Sequence, residues 1–272
     1  MGYSLGQIIF YSMITLIVLF SAVIILILAL TFSGSLSEVR SSDTIPIANL
    51  GDNIILSCYL NIDSERVKQV SVTWEKKGLK GLVYQFNDGA PDLQDQNSEF
   101  RGRTQLFPDA LVTGNASLLL RTVRSSDEGE YTCSISTSDG GGKVNIDLKT
   151  AAFTAPTFTL SKGILAAQAS RWLPKPRVTW SDYDGNVLNG STNFTQNSAG
   201  IFSVVSELSP VSSSSSYTCR IENALVTSVS RATVTGSGVS GQTDFIFSAA
   251  SSLLTSADPT AGVVLLCIYY LT

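Results

Sequence analysis

The chain has 272 residues, with 18 Lys and Arg against 22 Asp and Glu, a formal charge of −4 and no histidine. Its length predicts two domains of ordinary size, and its acidic balance, with no basic block longer than the EKK at 75–77, argues against a nucleic-acid partner. Without histidine the Ser-His and Cys-His hydrolases are excluded, and the side chain that most often serves as general base or zinc ligand is missing.

From Ile8 to Phe32 the run IIFYSMITLIVLFSAVIILILALTF carries no charge, and the small residues Ser33, Gly34 and Ser35 follow it. Residues 1–35 therefore read as a segment that sends the chain into the secretory pathway. It is either a signal peptide cut after the small residues or, because the run exceeds the usual h-region, an uncleaved signal-anchor helix. No Lys or Arg precedes Arg40, so flanking charge does not set its orientation.

Between residues 40 and 236 short runs of alternating apolar positions are separated by Gly, Asn, Asp, Ser and Pro, with no sustained helical period. The fold class this predicts is all-β: two tandem antiparallel sandwiches. In the first, over 36–150, the runs are NIILSCYL, VSVTWEKK, LVYQFND, RTQLF, ASLLLRTV, YTCSISTS and GKVNIDLKTAAF. Cys58, Trp74 and Cys133 fall on them in the order expected of two facing sheets pinned by a disulfide with a tryptophan packed against it. In an oxidising compartment that pair is expected to be bonded, and closing its long loop is worth about 4 kcal/mol. Two residues before the second cysteine, Tyr131 in DEGEYTC stands where its hydroxyl can bond back to the chain at a strand corner.

The second sandwich, over 151–236, repeats the theme more weakly. Trp180 and Tyr217-x-Cys219 occupy the places of Trp74 and Tyr131-x-Cys133, but 39 positions separate tryptophan from cysteine against 59 in the first. That spacing predicts the shorter, seven-strand constant-type sandwich. In ILAAQASRW, Ala167 stands where Cys219 would seek its partner. This domain is expected to fold without its staple and to be the weaker of the two, with Cys219 a buried, inert thiol; an intermolecular disulfide is the alternative.

Residues 237–260, rich in Gly, Ser and Thr, read as a flexible stalk. The apolar tail AGVVLLCIYYLT, residues 261–272, is too short for the roughly 20 residues a helix needs to cross a bilayer. Small residues, a polar spacer and an apolar tail follow one another in the order of a glycolipid (GPI) attachment signal, with the attachment site among Ser248, Ala249, Ala250 and Ser251. A short membrane anchor is the other reading, and if the tail is removed Cys267 leaves with it. Either way the expectation is a protein on the extracellular face of the plasma membrane that presents its domains without a cytoplasmic segment on that side. Export gives meaning to the sequons at Asn115, Asn189 and Asn193 as glycosylation sites.

The motifs SLGQI, FRGRT, GNASL, DEGEYTC, LKTAAF, RWLPKP and YTCRIEN together resemble the B-seven/butyrophilin-type co-signalling ligands of the immunoglobulin superfamily. The resemblance implies a variable-type domain followed by a constant-type one, and Arg103 of FRGRT resembles the arginine that variable-type domains pair with the aspartate of the later motif, here Asp127. It implies further a surface ligand that engages a receptor on T cells and restrains activation, proliferation and cytokine release. The contact surface would be the front sheet of the first domain and its F–G loop. Alternation turns Thr73, Glu75, Ser134 and Ser136 outward; the glycine-rich tip SDGGGK presents Asp139 and Lys143; and Tyr84 and Phe86 offer an aromatic anchor, one of the two being expected to pack inward. RWLPKP reads as a structural connection, with Leu173–Pro174 cis by resemblance. The alternatives are a homophilic adhesion protein that self-associates weakly and a soluble decoy regulator. No enzyme, cofactor or metal is expected: the carboxylates of DEGE, DLQDQ and SDYD join no second catalytic group, and the cysteines form no metal pattern.

Overall fold

A computed structural model describes residues 5–32, 38–61, 69–87, 89–138 and 140–248. The expected cleavage residues 33–35, Asp139, Ala249, Ala250, Ser251 and the apolar tail with Cys267 lie outside the described residues. The chain divides into a first compact unit that ends at Leu148 and a second that begins at Lys149 and also takes in Ile47–Gly51 and Val123–Asp127. Helix α1, Leu5–Phe32, is grouped with the first unit. Its span Ile9–Ile27 is long and apolar enough to cross a membrane, by length and composition.

Up to Ala151 the strands are β1 (Glu38–Arg40), β2 (Ile47–Asn49), β3 (Ile54–Leu56), β4 (Tyr59–Asn61), β5 (Ser71–Lys76), β6 (Tyr84–Asn87), β7 (Ala90–Pro91), β8 (Thr104–Gln105), β9 (Leu118–Leu120), β10 (Gly129–Thr137) and β11 (Gly140–Ala151); β2 and the residues of β11 from Lys149 onward fall in the second unit, the others in the first. The short helix α2 (Pro108–Leu111) lies between β8 and β9. One sheet runs β11-β10-β5-β6-β7, joined by β2 in parallel to the last residues of β11; the other is β3-β9-β8, and β1 pairs with β4. Alternation builds the core: Val72 and Trp74 from β5, Tyr131, Cys133 and Ile135 from β10, and Leu118 and Leu120 from β9 all point inward and are buried. Each buried Val, Leu or Ile of this set contributes about 1.5–3 kcal/mol on leaving water. Cys58 and Cys133 are bonded, and Trp74, directly opposite Cys133, donates its Nε1–H to the Ala116 carbonyl at 3.1 Å. Tyr131 is fully buried edge-on to Phe100, 6.3 Å between centroids.

Arg103 and Asp127 are both buried, at 8% and 0% exposure. The Arg103 guanidinium donates to the carbonyls of Glu99, Arg121 and Thr122, and the Asp127 carboxylate accepts the Arg124 N–H at 2.8 Å.

The second unit is built of β12 (Thr157–Ser161), β13 (Ile164–Trp172), β14 (Arg177–Ser181), β15 (Val187–Leu188), β16 (Gly190–Gln196), β17 (Phe202–Leu208), β18 (Ser216–Glu222), β19 (Val226–Thr235) and β20 (Gly238–Phe247). They form the sheets β12-β13-β17-β16 and β15-β14-β18-β19-β20. The strands therefore number nine where the spacing predicts seven: the two-residue β15 widens one edge, and β20 adds a full strand at the other. This corrects the reading of residues from 237 onward as a stalk. Gly236 and Ser237 make a two-residue hairpin loop, and β20 returns in register along all of β19, from Thr235 opposite Gly238 to Val226 opposite Phe247. Phe245 and Phe247 close on Phe153 at 5.2 and 5.6 Å, which ties the end of β20 to the segment before β12.

Leu165, Ala167, Trp172, Trp180, Val204, Tyr217, Cys219, Ile221 and Ala232 are among the core of this unit. Trp180 sits opposite Cys219 as Trp74 sits opposite Cys133. Ala167 is buried and pairs across β13 and β17 with Ser206, whose hydroxyl accepts the Trp180 Nε1–H at 2.8 Å. The Tyr217 hydroxyl accepts the Ser212 N–H at 2.8 Å, the strand-corner bond of this sandwich type. Leu173–Pro174 is cis, and so is Ser209–Pro210. Cys219 is buried and unbridged, and burial pushes its thiol up to about 12.

Candidate functional site

The front sheet of the first unit offers its outward side chains in cross-strand rows, because the register of four strands is continuous. One row runs Gln85, Thr73, Ser134, Lys143; the next Glu75, Thr132, Asn145; a third Ser71, Ser136, Gly141, with Asn87 joined to Ser71 by a side-chain hydrogen bond. Glu75, Ser136 and Lys143 are exposed, while Thr73 and Ser134 are half-buried between their neighbours. Lateral bonds already tie part of the surface together: Ser71 donates to the Asn87 side chain, and Thr132 donates to Asn145 at 3.0 Å.

Tyr84 does not belong to this surface. It is 5% exposed and Phe86 6%, because β6 turns both inward and turns Gln85 and Asn87 outward. Tyr84 lies opposite Trp74, and burial raises its phenol above the ordinary tyrosine range, only partly offset by a backbone hydrogen bond at Leu106. The expected aromatic anchor is thus part of the core. Gln85, Asn87, Thr132 and Asn145 take its place on the face; the polar–apolar alternation of Tyr84-Gln85-Phe86-Asn87 was the signal that could have found the first two.

At the end of the face β10 and β11 meet in the glycine-rich turn. Thr137 donates its hydroxyl to the Gly140 carbonyl at 2.7 Å, and Gly141 opposes Ser136. A Cβ on Gly141 would come within 2.3 Å of the Ile135 carbonyl oxygen, so only glycine lets the two strands approach there. Lys143 stands exposed two residues beyond.

The result is a surface of short hydroxyl and amide groups, with Glu75 and Lys143 as opposite charges on strands two apart. Groups of this kind offer a partner hydrogen bonds and steering charge rather than a pocket for a large apolar side chain. Of the sequon asparagines, Asn189 and Asn193 are exposed on the second unit, and Asn193 lies on its edge strand β16. Asn115 is half-buried, with its side-chain oxygen accepting the Ser117 N–H at 3.0 Å.

Comparison with known proteins gives two domain matches: the immunoglobulin V-set domain over residues 42–149 and the butyrophilin subfamily 3 member A2-like Ig-C domain over residues 161–230. The chain is similar to V-set domain-containing T-cell activation inhibitor 1 of Rattus norvegicus, 38% identical over 245 residues, covering 87% of this chain and 86% of the relative. The Homo sapiens protein of the same name is 38% identical over 229 residues, covering 81% of this chain and 80% of the relative. Among solved structures, the crystal structure of the human B7-H4 IgV-like domain is 38% identical and covers 42% of this chain and 96% of that one, with a TM-score of 0.39.

Proposed function

The chain belongs to the family of V-set domain-containing T-cell activation inhibitors, and on that premise we propose that it is a cell-surface ligand that binds a receptor on T cells and restrains their activation, proliferation and cytokine production. The observation that carries the reading is the 38% identity to a T-cell activation inhibitor across 86% of that relative, both domains included.

The front sheet of the first unit is the proposed contact surface, with Glu75, Ser136 and Lys143 outermost and Thr73 and Ser134 between them. Asp139 is kept as a contact candidate from its place in the F–G turn. Attachment to the membrane is by a glycolipid near Ser248, by the N-terminal helix, or by both. A glycolipid there would leave the second unit beside Phe153, since Phe247 packs on that ring.

The test displays the full chain on antigen-presenting cells and measures proliferation and cytokine release of co-cultured T cells. Lower output than with cells lacking the protein is expected, and a Glu75→Lys, Lys143→Glu double change should restore most of it without altering surface display. Unchanged or raised output from cells that display the protein would overturn the inhibitory reading. Release by a phosphatidylinositol-specific phospholipase is expected of a glycolipid anchor, and resistance counts against it.

A further inference from the structure

The turn between β14 and β15 carries Tyr183, flanked by Asp182 and Asp184, at 83% exposure. No other described tyrosine combines these features. Tyr84, Tyr131 and Tyr217 are buried, Tyr59 is 39% exposed between Cys58 and Leu60 on a paired strand, and Tyr11 lies in α1. A phenol so exposed, flanked in sequence by two aspartates, contributes little to packing, and every other described large aromatic side chain of the second unit packs against something.

The turn is built to hold that presentation. Asp182 N–H donates to the Asn186 carbonyl at 3.0 Å and Gly185 N–H to the Asp182 carbonyl at 3.2 Å, with Gly185 at φ +88° closing the hairpin. The Asp182 carboxylate accepts the Asp184 N–H at 3.0 Å, the Asn186 N–H at 2.8 Å and the Asn186 side-chain amide at 2.9 Å. The hydrogen bond donated by the Asn186 side-chain amide is the main reason its carboxyl is held below the usual range, so it is charged throughout the pH of the secretory pathway. Asp184 spends only its N–H in the turn. The tyrosine thus meets a partner on a pre-ordered loop, which spares the ordering cost of binding.

We propose that Tyr183 is a tyrosine O-sulfation site, modified in the lumen of the secretory pathway by a transferase that uses a nucleotide phosphosulfate donor. The proposal rests on the export included in the function proposed above. An enzyme that binds so anionic a donor has a cationic cleft, and carboxylates on both sides of the acceptor complement it. In the transfer the phenolic oxygen attacks sulfur and forms the new O–S bond. The bond from sulfur to the bridging phosphate oxygen breaks, the nucleotide phosphate leaves with that electron pair, and the phenol proton passes to a base of the transferase; nothing is oxidised or reduced. The product places a permanent sulfate ester on the tip of the second unit, an anion suited to an arginine-rich partner surface.

The test expresses the full chain in mammalian cells fed radioactive sulfate, isolates the exported protein, and removes N-glycans, because those at Asn189 and Asn193 can carry sulfate themselves. Sulfate that survives glycan removal and phosphatase is expected on the unmodified sequence, absent from Tyr183→Phe and reduced several-fold in Asp184→Asn. Tyr183→Phe should be displayed at the same level, since the side chain touches no core. Exported, N-glycosylated protein without peptide-borne sulfate overturns the proposal and leaves the export reading intact. Label that persists in Tyr183→Phe also overturns it. A chain that never acquires processed N-glycans overturns both.

Discussion

In the first sandwich Trp74 lies opposite Cys133, and in the second Trp180 lies opposite Cys219, so the two domains hold tryptophan and cysteine at one shared register. In both, the indole N–H donates to a partner far along the chain, to the Ala116 carbonyl in one and to the Ser206 hydroxyl in the other. Only the first adds a covalent bridge. At the site of the missing sulfur Ala167 pairs with Ser206, whose hydroxyl also meets Thr192 at 2.8 Å and donates to the Ser191 carbonyl at 3.1 Å. The pair shows that the sandwich register is set by inward-facing side chains and strand pairing, while the disulfide is an addition to a frame that stands without it. The second domain has another addition, β20, which lengthens one sheet by a paired strand.

Breaking the bridge tests this comparison most severely. A Cys58→Ala, Cys133→Ala double change should cost the first domain about 4 kcal/mol, seen as a lower midpoint for that domain's transition in denaturant unfolding, with the second domain's transition unmoved. An unchanged first midpoint would mean that the bridge contributes no more than the hydrogen-bonded frame already does. The converse, Ala167→Cys, should let Cys219 find a partner and raise the second domain by up to about 4 kcal/mol, less any strain the new bond imposes. Loss of the free thiol by titration and a higher midpoint are the joint readout.

Smaller effects come from the polar side of the second core. Ser206→Ala leaves the Trp180 N–H buried without its acceptor and should cost about 1–3 kcal/mol; full stability in this variant would deny the hydroxyl its role. Alkaline pH acts through Cys219. Its folded value is raised to about 12 from an ordinary 9.0, so above pH 9 the unfolded state loses its proton first and stability falls with rising pH until about 12. At pH 10 the loss should be about 1.4 kcal/mol, and Cys219→Ala should abolish that part of the pH dependence. The same burial predicts that the native thiol resists alkylation at neutral pH, whereas the unfolded chain reacts.

Much of this architecture is legible along the chain because it depends on period and order. The succession Cys58, Trp74, Cys133 and the alternation at 72–75 and 133–136 are properties of neighbouring residues, and a strand turns them into faces without help from the rest of the fold. Tyr84 illustrates the boundary of that reading. Its parity with Phe86 places both on one face of β6, but an aromatic residue suits core and interface equally, and only the position of Trp74 on the adjacent strand decides between them. The stretch from 238 to 247 fails for the opposite reason. Gly, Ser, Gln and Thr carry little apolar area, so composition suggests a stalk, yet backbone pairing with β19 and the rings of Phe153 and Phe158 supply partners from distant parts of the chain.

What the sequence by itself determined is the pair of sandwiches, the bridged first domain, the unpaired Cys219 and the outward parity of Thr73, Glu75, Ser134 and Ser136, all of which follow from local alternation and residue order. The tertiary structure alone decided that Tyr84 is core, that the front sheet is a surface of short polar groups, that Ser206 bonds the indole beside Ala167, and that the chain doubles back along β20. Each of these depends on which distant strand lies alongside, and strand pairing is a long-range choice made by burial and hydrogen-bond satisfaction across the whole domain rather than by any one stretch of residues.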